Sequence, residues 1–129
     1  MPAEIVFDQG LGDLFVIRVA GNIVVVLGHS MCGVVKATID ELERPSKEKS
    51  SNVLPIVNRI RPTIEPLFET ALRNDPGKLL ELSIHANILA ATNHLMHGSQ
   101  MLENLVQQGK LKIIGAEYSL ETGYVKFYE

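Results

Sequence analysis

The chain has 129 residues, of which 46% are hydrophobic and 21% charged, and a formal net charge of −3. That length and apolar content suit one globular domain over residues 1–129 with a sizeable core. Basic residues stand singly and are not interleaved with aromatic ones, so no nucleic-acid partner is expected. The longest apolar run, Ile23 to Leu27, is far too short to cross a bilayer, and no basic start leads into an apolar leader, so no membrane partner is expected either. Cys32 is the single cysteine, which precludes an intrachain disulfide and fits a reducing cytoplasm.

Leu14-Phe15-Val16-Ile17 and Ile23-Val24-Val25-Val26-Leu27 are short β-branched runs bounded by glycine, a pattern that predicts two buried strands. Val34 to Leu42 then repeats its apolar positions at helical spacing, so strand, tight turn and helix follow one another. Arg44 to Asn52 has little to bury and reads as an exposed loop. Glu41, Glu43, Arg44, Lys47, Glu48 and Lys49 read as a solvated charged face.

Val53 to Arg73 is helical in pattern, with a break expected at Pro62, Thr63 capping a second helix and Pro66 in its first turn. Asn74-Asp75-Pro76-Gly77 predicts a turn, followed by a long helix with Leu80, Ile84, Ile88 and Leu95 on its apolar face. Gly98-Ser99 interrupts and recaps that helix, and Gly109 stops it. Leu111 to Ala116 reads as a strand, and Glu121-Thr122-Gly123 turns it back into Tyr124 to Tyr128 as a hairpin. Strands separated by helices predict an α/β sheet with ligands at the carboxyl ends of its strands.

His29 and Cys32 fall at the first strand-to-helix junction, within Gly28-His29-Ser30-Met31-Cys32-Gly33. Imidazole nitrogen and thiolate sulfur at this spacing suit a soft divalent metal, with Gly28, Ser30 and Gly33 shaping the turn by letting the backbone bend. The plainer alternative is that Cys32 packs as a small hydrophobe and His29 is a hydrogen-bonded turn residue. His94 and His97 share a helix face three residues apart, with His85 earlier on the helix; all three read as surface or packing histidines.

Asp8 to Asn22, then Val26 to Gly33, then Gly109 to Ala116 with Leu120-Glu121-Thr122-Gly123 resemble, in that order, segments of the β-class carbonic anhydrases. The resemblance implies a β-carbonic-anhydrase-like, mostly parallel sheet with flanking helices and a C-terminal hairpin. It also implies zinc as cofactor, held by two cysteines and one histidine, whose bound water attacks carbon dioxide. His29 and Cys32 match two of those ligands. The third belongs to a Cys-x-Asp-Ser-Arg motif that in the family precedes the residues matching Met1 and Pro2, and whose aspartate and arginine form the catalytic dyad. Without that motif no catalytic residue is assigned here, and Asp8, Asp13 and Arg18 receive no catalytic role.

Relatives also place a helix between the segments matching Asn22 and Val24, so a molecule of reduced size is expected. The few residues between Ile17 and Ile23 cannot make a parallel crossover. Gly21-Asn22 reverses the chain into an antiparallel hairpin, or the two runs form one extended arm swapped into a neighbouring subunit; the swapped arm is slightly favoured. The expected function is that of a noncatalytic or weakly active homo-oligomer with a remnant zinc or bicarbonate site. An active carbon dioxide hydratase completed on assembly and a metal-free assembly module are the alternatives.

Overall fold

The structure, a computed structural model, describes residues 16–19, 22–45 and 53–128. Asp8, Asp13, most of the loop expected before Val53, and Lys47, Glu48 and Lys49 lie outside the described residues. The described elements, in order, are β1 (Val16–Val19), β2 (Ile23–His29), α1 (Gly33–Glu43), α2 (Leu54–Phe68), a 3-10 turn (Ala71–Asn74), α3 (Pro76–His97), α4 (Gln100–Gln107), β3 (Lys112–Tyr118) and β4 (Val125–Tyr128). They fall into two compact units, divided between His29 and Ser30 and again between Asn87 and Ile88, within α3.

The first unit holds a four-stranded sheet in the order β1-β2-β3-β4. The fold class is α/β, but the sheet is mixed: β2 and β3 are parallel, while β1 and β4 run antiparallel to their neighbours. A mostly parallel sheet does not form among the described strands, because both flanking strands reach their partners through links too short for a crossover. Of the two arrangements expected for the first two strands, the hairpin is the one present within this chain. β1 folds back on β2 with Val16 opposite Val26 and Val19 opposite Ile23, as the short link from Val19 to Ile23 dictates.

Consecutive buried residues run along β2, from Val25 to Leu27, and β3, from Ile113 to Ala116, so both faces of the central pair are covered. On one face Val26 and Ile113 pack with Leu95, joined by Val24, Ala91, Met96, Val106 and Leu111. On the other, Val25, Leu27, Ile114 and Ala116 form a second cluster. The C-terminal part of α3 comes closest to the sheet at two glycines. A Cβ on Gly28 would lie 2.5 Å from Ile88 Cγ1, and one on Gly115 would lie 3.0 Å from both Ile88 Cγ2 and Thr92 Oγ1. Buried Ile88 thus occupies a slot that two adjacent strands open by omitting side chains.

In the second unit α1 packs on α2. Val57, Ile60, Ile64 and Phe68 form the buried stripe of α2, and the break expected at Pro62 is absent. Pro62 and Pro66 stand one turn apart on the exposed side, where the carbonyls they leave without an amide partner can bond water. Burying each of four large apolar side chains is worth about 1.5–3 kcal/mol, enough to offset proline costs of about 3 kcal/mol each. Thr63, expected as a cap, is an interior helical residue.

The helix ends follow their capping chemistry. Asp75 Oδ1 accepts from Lys78 N at 3.1 Å ahead of Pro76, so the expected turn also caps α3. Ser99 caps α4 through a bond from Leu102 N. Gly109, at φ 69°, closes α4 while Lys110 N reaches Leu105 O and Gly109 N reaches Val106 O, the paired bonds of a Schellman stop.

If Ile88 and Gly28 are fitted to each other, Gly28→Ala should cost about 1–3 kcal/mol through overpacking and Ile88→Ala about 2–5 kcal/mol through a cavity. In the double variant the loss should be smaller than the sum, since the cavity receives the added methyl. Urea denaturation of the four proteins checks this; strict additivity would show that the two positions do not share one slot.

Candidate metal site and its family

His29 is the last residue of β2 and is exposed; its register partner across the parallel pair is Tyr118, the last residue of β3. Parallel strands that end together leave their last residues side by side at the carboxyl edge, where open α/β sheets place ligands. Gly28 sits opposite Glu117 in the same register. The Tyr128 hydroxyl donates to Glu117 Oε2, tying β4 to the end of β3.

Ser30 and Met31 make the turn after β2. Cys32 is half-buried in an extended conformation at the N-cap of α1, without a side-chain capping bond, and its carbonyl accepts from Lys36 N at 3.0 Å. Gly33 is the first helical residue. The positive φ of this turn falls on neither flanking glycine. Gly28 is a strand residue whose missing Cβ admits Ile88, and a Cβ on Gly33 would meet nothing within 4 Å. The left-handed bend is made by Met31, at φ 56° and 63% exposed. Pattern reading missed this because methionine carries no signature of that conformation, unlike glycine or asparagine.

His94 and His97 are exposed on the last part of α3, with His97 Nδ1 3.6 Å from Glu103 Oε1, and His85 is half-buried on its earlier part. Glu41 departs from the solvated face expected for the charge run: it is 5% exposed, on the same side of α1 as buried Thr38, while Glu43 and Arg44 are exposed. Among the described residues no three His, Cys, Asp or Glu side chains are grouped so as to hold a metal ion. A catalytic zinc takes three protein ligands plus an open position, so the described residues do not complete one.

The sequence model of the carbonic anhydrase family matches residues 23–125. A carbonic anhydrase of Mycolicibacterium smegmatis is 42% identical over 82 residues, covering 48% of this chain and 39% of that protein. Carbonic anhydrase 2 of Mycobacterium tuberculosis is 28% identical over 141 residues, covering 94% of this chain and 65% of its own length. This chain therefore spans less than two thirds of either curated relative. Among solved structures, the beta-carbonic anhydrase CcaA superposes with a TM-score of 0.64 at 22% identity, over 100% of this chain and 74% of that one. A tetrameric beta-carbonic anhydrase of Sordaria macrospora gives 0.67 at 16% identity, over 82% of this chain and 51% of that one. The strand-turn-helix that carries His29 and Cys32 lies inside the matched region, and the chain belongs to the β-class carbonic anhydrase family.

A non-glycine residue held in the left-handed region pays about 1–2 kcal/mol. Met31→Asn should therefore raise stability by about 0.5–1 kcal/mol, and Gly33→Ala should be neutral or stabilising by up to about 1 kcal/mol. Thermal or urea unfolding reads both; destabilisation by Gly33→Ala would show that this position needs glycine after all.

Proposed function

We propose that these 129 residues form a β-class carbonic-anhydrase-family protein that is noncatalytic or weakly catalytic, keeps a His29/Cys32 remnant for zinc or bicarbonate, and works in the cytoplasm as a homo-oligomer. The shortfall of ligands carries this reading. Cys32 is the single cysteine of the chain, and the described residues include no group of three metal-binding side chains. Two ligands leave a zinc ion weakly held, and water on a weakly held ion is not available as a pre-positioned nucleophile. Self-association is supported by the tetrameric state named for the Sordaria macrospora enzymes.

A second reading is an active hydratase, with the missing ligands supplied on assembly or by another chain. It is favoured by the placement of His29 at a strand end and Cys32 at the adjoining helix cap, within the family-matched segment.

Elemental zinc analysis and stopped-flow carbon dioxide hydration on the size-fractionated protein, with His29→Ala and Cys32→Ala alongside, separate the readings. The expected result is less than one zinc per chain and hydration close to the buffer rate, with both substitutions lowering what zinc is bound. One zinc per chain with fast turnover, lost in either variant, would overturn the proposal in favour of the enzyme. No zinc in any protein, and an oligomer unchanged by chelation, would overturn the remnant site and leave a metal-free assembly module.

A further inference from the structure

Ten large apolar side chains are exposed among the described residues, and five of them, Tyr118, Leu120, Tyr124, Val125 and Phe127, fall on the last hairpin. β4 stands at the end of the strand order and, among the described strands, pairs only with β3. Its register with β3 sets Val125 opposite Tyr118 and Phe127 opposite Ala116, on the face that carries the Val25, Leu27, Ile114 and Ala116 cluster. The exposed patch formed by Tyr118, Val125 and Phe127 therefore continues a core that is already built.

The backbone has a direction as well. The Tyr124 carbonyl accepts from Ser119 N at 2.9 Å and so points inward to the start of the hairpin, while the Tyr124 N–H donates to Thr122 Oγ1 within the turn. Strand residues alternate, which turns Lys126 and Tyr128 inward too and leaves the N–H and C=O groups of Val125 and Phe127 aimed at the open edge. Such a row of alternating donors and acceptors is matched by another strand.

We propose that β4 pairs antiparallel with β4 of a second copy of this chain, Val125 of each copy facing Phe127 of the other, with Lys126 on the two-fold axis. This arrangement rests on the self-association proposed above and names the strand responsible. It joins all four outward groups of each β4 in hydrogen bonds, and it sets a β-branched side chain across from an aromatic one at both ends of the axis. The opposing cost is the meeting of two Lys126 residues. Each ammonium is drawn off the axis by its own chain, lying 5.9 Å from the centroid of the Tyr128 ring one step along the same face. A self-complementary pairing favours a second copy over an unrelated extended peptide.

Residues facing each other across a non-hydrogen-bonded antiparallel pair bring their Cα atoms to about 4.5 Å, within disulfide range. In a Cys32→Ala background, Lys126→Cys should form a covalent dimer on mild oxidation at tens of micromolar protein. Adding Phe127→Pro should abolish it: the proline removes an outward N–H, leaves the β3 ladder whole, and should leave the circular dichroism spectrum unchanged. Sedimentation of the unmodified chain completes the test. An associated chain whose Lys126→Cys variant remains uncrosslinked would overturn the assignment to β4 while sparing self-association. A chain that sediments as a monomer at the same concentration would overturn both. If Phe127→Pro unfolds the protein, crosslinking of Lys126→Cys alone decides.

Discussion

α3 comes closest to the sheet where Ile88, with Thr92 beside it, meets two strand positions that lack a side chain. Ile88 fills the space left by Gly28 and Gly115, and neither strand could carry even a methyl group there without displacing it. Close packing makes the fit sharp, because a methylene too many or too few is felt directly in a dense interior. Since Gly28 immediately precedes His29, the contact that seats the helix also holds the end of β2. The candidate ligand on the sheet is thereby seated next to an apolar contact between strand and helix.

The turn itself works differently from the strand that feeds it. Its reversal depends on Met31 in a conformation that costs energy for a methionine, while Gly33, free to adopt unusual angles, takes an ordinary helical place. Backbone strain of this kind persists where the surroundings over-determine it and is often found beside functional groups. Here it separates the imidazole at the end of β2 from the thiol at the cap of α1.

Much of this was legible in the residues. β-branched runs marked β2 and β3, helical spacing marked α1 and α3, and Ser99, Gly109 and the last hairpin stood where capping and turn chemistry put them. Pro62 misled because a local rule about a missing donor was outweighed by the buried stripe of Val57, Ile60, Ile64 and Phe68, a tertiary effect. The C-terminal hairpin is legible, but the pairing of β1 stays open in the sequence because strand direction depends on partners, which a lone run such as Val16 to Val19 does not name. Of the site, His29 and Cys32 are visible as residue types at a spacing, but the close approach of Ile88 to Gly28 is not. A glycine inside a strand signals either a bend or a close approach, and only the position of Ile88 distinguishes them.

The order of the strands bears on how the chain reaches this state. β1–β2 and β3–β4 are hairpins closed by short links, whereas the central parallel pair joins segments separated by residues 30–111. The largest loop-closure cost therefore falls on one pairing, and long-range contacts of that type slow folding. Two hairpins that can form early, each with a hydrophobic strand awaiting its parallel partner, make the interval before that pairing the period in which a newly made chain is most exposed to aggregation.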